Sequence, residues 1–280
     1  MKISWLKSLG CGVLLFGTAS LPAQEFTILF TNSANGAIEN CYCPDARLGG
    51  LEKRAQFIAQ YRQQDPDVLV VDNGDNFIEY LNPGFDKVIT GTMELLDVDV
   101  INLGDQDIAY GTEEYFNLPT LATTPGEPVT VTKGGIVYSI LPVLHSGTTR
   151  FYPDFVFADY NLDDLPEQIE KWLGSKEAEG AFKILLSHAG FDIDQDLAAD
   201  YPGIDLIIGG HSQTVIDTPK VVNGVPIVQA GGYAGYVGEI RYKLLEGNFE
   251  LIEYQLHSLT VEMPDHPEVM KLIDEYTSNP

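Results

Sequence analysis

The chain has 280 residues, 44% of them hydrophobic and 20% charged, enough to bury a large core without disulfides or oligomerisation. Its 41 Asp and Glu outweigh 16 Lys and Arg, for a formal net charge of -25. That field repels polyanions and offers no basic stripe, which excludes nucleic acid as a partner; an anionic small ligand needs a metal or a helix N-terminus to draw it in.

Residues 1–24 predict a secretory signal: Lys2 and Lys7 form a basic start, residues 11–16 an apolar run, and Leu21-Pro22-Ala23 a small-residue cleavage site, with no acid anywhere in the segment. The expectation is an exported protein, periplasmic or secreted, with residues 25–280 as a single domain. Cys11 lacks the Leu three residues earlier that a lipoprotein anchor requires. No later stretch is long and apolar enough to span a membrane. Once the signal is removed, Cys41 and Cys43 remain, spaced C-x-C, and a disulfide across so short a loop is strained and readily reduced.

Residues 26–31 (FTILFT), 68–71 (VLVV), 98–103 (VDVINL), 136–140 (IVYSI), 183–187 (KILLS) and 205–208 (DLII) predict buried strands. Residues 51–61, 84–96, 165–173 and 194–201 carry helical spacing between them. This alternation predicts mostly parallel pairing with helices outside. From residue 225 the pattern changes to alternating strands around the turn Glu246-Gly247-Asn248, a hairpin, followed by a last helix over 266–276.

In open α/β sheets, ligands sit outside the carboxyl ends of the strands. Here those ends are polar in succession: Asn32-Ser33-Ala34-Asn35-Gly36, Asn73-Gly74-Asp75-Asn76, Gly104-Asp105-Gln106-Asp107, His188-Ala189-Gly190 and Gly210-His211-Ser212-Gln213. Divalent cations of the Mn, Fe, Zn or Mg type take carboxylate and imidazole ligands gathered from several strands. Asp75, Asp105, His188 and His211 supply two of each, a candidate site for one divalent metal ion.

These loops resemble those of the metallophosphoesterases, and of their bacterial 5'-nucleotidase and UDP-sugar hydrolase branch in particular. ILFTNSANG is similar to that branch's ILHTNDTHG, LGGLEKRA to LGGLARRA and VDNGDNF to LDAGDAF. NLGDQDIAYG stands for a GNHEFDYG-type segment, LLSHAG for SH-x-G, DLIIGGHSQT for DLIIGGHSHT and PIVQAGGYAGYVGEI for PIVQAGAYGKYLG. The resemblance runs from about Phe26 to Leu244. It implies an α/β four-layer α-β-β-α sandwich, a phosphoester hydrolase with a metal site, and a small phosphorylated or nucleotide-like ligand. It also implies that the catalytic domain alone is represented, without the C-terminal domain that binds the nucleoside in full-length 5'-nucleotidases.

The departures are concentrated. The resemblance assigns one of two metals to the positions of Ser33, Asn35, Asp75 and Gln213, so three of its four ligands are vacated. The second metal falls to Asp75, Asp105, His188 and His211, all able to ligate. Gln106 occupies the general-acid position beside the leaving group and cannot donate a proton, a loss of roughly 10²- to 10⁴-fold in rate. The expected function is therefore that of a weak 5'-nucleotidase-like phosphoester hydrolase retaining one metal site, with Asp105 among its catalytic residues. The alternative is a non-hydrolytic redox or ligand-binding protein on the same fold, its chemistry on Cys41 and Cys43, which lie directly after the altered first motif.

Overall fold

A computed structural model describes residues 23–40, 48–79, 83–122, 124–160, 162 and 165–278. The predicted signal therefore lies almost wholly outside the described residues, and so do Cys41 and Cys43. Strand β1 (Gln24–Thr31) sets the architecture by its alternation. Phe26, Ile28 and Phe30 point to one apolar cluster and Leu29 to another, as the two-residue period of a strand buried on both faces requires.

The first sheet continues through β2 (Leu69–Asp72) and β3 (Val100–Ile101), both parallel to β1. The second is built from β4 (Val129–Lys133), β5 (Ile136–Leu144), β6 (Phe182–His188), β7 (Leu206–Gly209), β8 (Lys220–Val222) and β9 (Val225–Val228). The hairpin of β10 (Tyr236–Leu245) and β11 (Asn248–Ser258) returns to the first sheet, where β10 lies antiparallel beside β1. The orders are β11-β10-β1-β2-β3 and β4-β5-β6-β7-β9-β8.

The two sheets share one inner core, in which Ile28, Val71 and Ile240 face Ile140, Ile184 and Ile208. On the outer face of the first sheet pack α1 (Leu51–Gln64), α2 (Pro83–Leu96) and α7 (Pro267–Ser278), through Leu51, Ile58, Ile89 and Ile273. Two short helices, α3 (Asp105–Tyr110) and α4 (Glu113–Phe116), follow β3. On the second sheet pack α5 (Leu165–Leu173) and α6 (Phe191–Asp200), through Ile169, Trp172 and Leu197. The result is the expected four-layer α-β-β-α sandwich.

Several boundaries differ from the sequence reading, each for a local reason. β3 pairs over Val100 and Ile101 only, because Asp99 meets β2 with its side chain as well as its backbone: Val70 N–H donates to the Asp99 carboxylate at 2.8 Å. α6 begins at Phe191 rather than Asp194, since Gly190, at φ 94°, turns the chain directly out of the loop after β6. The hairpin loop is the two residues Glu246 and Gly247, at φ 52° and 85°, the left-handed pair of a tight primed turn, and Asn248 already belongs to β11. β4, β8, α3 and α4 were not legible in the apolar pattern. The two strands are edge strands and the two helices are little more than a turn each. Among the described residues, no helix is long and apolar enough to cross a membrane.

Candidate metal centre

The parallel strands of both sheets end at one edge of the sandwich, and three buried asparagines bind those ends together. Asn32, after β1, donates to Gly231 O at 2.6 Å and accepts from Ala230 N at 2.9 Å. Asn73, after β2, donates from Nδ2 to Ser187 O and Ile208 O at 2.7 and 2.9 Å. Asn102, after β3, donates to Asn73 Oδ1, Leu186 O and Val143 O. Each side chain crosses from the first sheet to the second, so the loops that follow are held against one another. Beneath them Arg54, fully buried, donates to Asn32 O at 2.9 Å and pairs with Asp72 at 3.4 Å.

On this base the structure brings Asp75, Asp105, His188 and His211 together, one ligand atom from each lying within 4.8 Å of all the others. His188 Nε2 stands 3.2 Å from Asp75 Oδ2 and 3.1 Å from Asp105 Oδ1, and His211 Nδ1 stands 2.9 Å from Asp105 Oδ1. Ligands about 2.1 Å from a common cation are spaced about 3.0 Å apart in an octahedral shell and about 3.4 Å in a tetrahedral one. These three separations match edges of such a shell, and the chemistry of the set, two carboxylates and two imidazoles, suits a divalent ion.

The groups around the quartet fix its orientation. His188 Nδ1 lies 2.8 Å from Asn73 O, which takes that N–H and leaves Nε2 for the cluster. Tyr152 O–H donates to Asp105 Oδ2 at 2.8 Å, turning the other oxygen toward the histidines. Asp107 accepts from the backbone N–H groups of Gly104, Asp75 and Asn76 at 2.7 to 2.9 Å, so one carboxylate caps α3 and anchors the loop after β2. Burial and the charge of Asp75 push the Asp107 carboxyl up to about 7. Gly104 and Gly210 are needed for close approach: a Cβ on the first would fall 2.2 Å from Asp75 Oδ1, and on the second 2.8 Å from His188 Nδ1.

Electrostatics match the geometry. Burial disfavours a charged His188 ring, yet the carboxylates of Asp75 and Asp105 outweigh it and hold the imidazole well above the usual histidine range. Burial likewise raises Asp105, but the hydrogen bonds and charges of His188 and His211 outweigh it and hold that carboxyl below its usual range. The two carboxylates thus create a site that favours positive charge between them.

The vacated positions form a different patch. Gln106 Nε2 donates to Asn35 Oδ1 at 2.9 Å, and Asn35 Nδ2 donates to Ser33 O at 3.1 Å, a neutral amide chain beside the charged quartet. Ser33, Asn35, Asp75, His211 and Gln213 all hold positive φ, between 47° and 61°. For non-glycine residues that conformation is strained, and it clusters where loops are shaped for a site. Ser33, Asn35 and Gln213 thus share the left-handed φ of Asp75 and His211. Asn32, Asn73, Asn102, Asp107 and Tyr152 are positioning residues that sequence reasoning missed. Only the adjacency of the asparagines to strand ends could have pointed to them.

A sandwich of this kind, gathering carboxylates and imidazoles at the carboxyl ends of two sheets, has the architecture of the metallophosphoesterase class. The chain belongs to the calcineurin-like phosphoesterase family, whose profile matches residues 47–214. The 5'-nucleotidase of Bos taurus is 26% identical over 326 residues, covering 97% of this chain and 55% of that protein, so the chain spans about half the length of the curated relatives it matches. A 5'-nucleotidase precursor from Thermus thermophilus superposes with a TM-score of 0.77 at 20% identity, over 91% of this chain and 59% of that one. The sulfate thiohydrolase SoxB of the same species superposes equally well, at 0.77 and 16% identity, over 90% of this chain and 60% of that one. At those identities the likeness is one of fold.

Proposed function

We propose that this chain is an exported phosphoester hydrolase, a single domain over residues 25–280, which works with one divalent ion held by Asp75, Asp105, His188 and His211 and turns over slowly. The convergence of those four side chains within 4.8 Å is the observation that carries the reading. A divalent ion held by these residues would polarise a phosphoryl oxygen and offset charge in the transition state. The residues supply the rest. His188, fixed through Nδ1 on Asn73 O, presents Nε2 inward, and Asp105 is held by Tyr152. The reaction exchanges the ester oxygen of the substrate for that of a water molecule, giving an alcohol and a phosphate. Gln106 has no acidic proton to give the departing alkoxide, so the leaving group must take its proton from solvent. A small phosphorylated ligand, nucleotide-like by kinship, is the substrate class.

The test is hydrolysis of bis(p-nitrophenyl) phosphate and 5'-AMP by the wild-type chain and by a variant carrying Ser33→Asp, Asn35→His, Gln106→His and Gln213→His together. Wild-type turnover well below about 1 s⁻¹ is expected, with a gain on the order of 10²-fold or more in the variant, since it regains both a general acid and a second set of ligands. Wild-type turnover at or above that level would contradict an impaired site. A second reading, a redox or ligand-binding protein using Cys41 and Cys43, is favoured by one observation: the hydrogen bond from Gln106 to Asn35 occupies the altered loops with groups that carry no charge. A wild-type chain without turnover, combined with a variant that gains none, would favour it.

A further inference from the structure

Beside His211 opens a cavity of about 540 Å³ whose lining includes His145, Arg150, Phe191, Asp192 and Thr214. That volume suits a small organic group rather than a phosphate alone. Arg150 stands out in it. Of the four arginines among the described residues, Arg54, Arg62 and Arg241 each pair with a carboxylate, as expected where acids outnumber bases so heavily. Arg150 makes no ion pair among the described residues, although Asp192 lines the same cavity. Its guanidinium lies instead 4.7 Å from the ring centre of Phe151, which is itself 80% exposed. Stacking of this kind holds a guanidinium in place while leaving its N–H fork unused.

The segment that carries Arg150 is tied to the metal centre. Tyr152, two residues on, reaches Asp105 with its hydroxyl. At the other end of the segment His145 Nδ1 accepts from Gly147 N at 3.0 Å, and His145 also lines the cavity. Arg150, without an ion pair among the described residues, therefore lines the same cavity as His211 and belongs to a segment that also reaches Asp105.

We propose that Arg150 binds a second anionic group on the ligand, distinct from the phosphoryl group at the quartet, so that the preferred ligands are phosphoesters or phosphonates whose organic part ends in a carboxylate or a further phosphate. This rests on the metal-centre reading and names the ligand class for the same site. The chain's overall charge repels such ligands at long range, which makes a local clamp necessary for selecting them. A guanidinium meeting a carboxylate or phosphate by paired hydrogen bonds supplies that selectivity.

The test compares two matched, non-hydrolysable probes, n-butylphosphonate and 4-phosphonobutyrate, titrated calorimetrically into the Mn²⁺-loaded full chain. The two share a phosphonate and a four-carbon reach and differ in the terminal carboxylate. Wild-type protein is expected to bind 4-phosphonobutyrate on the order of tenfold more tightly, and Arg150→Gln to bring the ratio of the two affinities close to one. Equal affinities in the wild-type chain, or a ratio that survives in Arg150→Gln, would overturn the assignment while leaving the metal centre standing. Failure of both probes to bind the loaded wild-type chain would overturn this inference, whereas failure of the chain to take up Mn²⁺ would overturn the metal-centre reading and this inference with it.

Discussion

Asp194 shows how a single buried carboxyl sets a pH dependence of folding. It lies fully buried beneath the carboxyl ends of β6 and β7, with Oδ1 accepting from Ser187 Oγ at 2.6 Å and Oδ2 without a partner. Burial pushes it from 3.8 up to about 7, against the opposing effect of the Ser187 bond. Its folded pKa thus exceeds its unfolded one, so the native state holds the extra proton between those values and loses stability as pH rises through that window. Asp194→Asn keeps the acceptor and cannot ionise. It is expected to raise the melting temperature at pH 8, with the gain shrinking toward zero near pH 4. An equal gain at both pH values would place the effect in packing and contradict the buried ionisation. At this scale the metal quartet was legible because each member follows a strand and a glycine or closes a strand. The residues that orient it were not. Asn73 and Asn102 bond to backbone carbonyls up to 135 residues away, and such partners leave no periodic trace in a sequence.

Among the elements, the β1–β10 pair is the most exacting. Gly238 of β10 lies directly opposite Phe30 of β1, and a Cβ there would fall 1.9 Å from the ring. The Phe30 ring lies across the glycine and stacks with Tyr254 of β11 at 6.4 Å, filling on a neighbouring strand the space that a side chain would occupy. Gly238→Ala should therefore destabilise the fold by about 1–3 kcal/mol, read as a lowered urea midpoint, and adding Phe30→Leu should recover part of the loss. An unchanged midpoint in the single variant would show that the ring moves freely. The apolar runs disclosed β1, β2, β5, β6, β7 and the hairpin because each is long or buried on both faces. α3 escaped notice because only its Gly-Asp start carries a signal. The carboxylate that caps it, Asp107, is in sequence one more polar loop residue, and only the backbone places three N–H groups around it.

For the whole molecule, we propose that Asp75, Asp105, His188 and His211 hold one ion, while the uncharged side chains of Ser33, Asn35 and Gln213 hold none. The fold was recoverable because the resemblance spans loops from both sheets, and only the correct sandwich places all of them at one edge. The charge of -25 is consistent with a surface that depends on a bound cation for any attraction to phosphate. Metal content of the full chain, measured by plasma mass spectrometry after saturation with Mn²⁺ and removal of free ion, tests that claim most directly. One ion per chain is expected, falling to none in a His188→Ala, Asp105→Ala double variant that remains folded by circular dichroism. Two ions in the wild-type chain, or one that persists in the double variant, would contradict it.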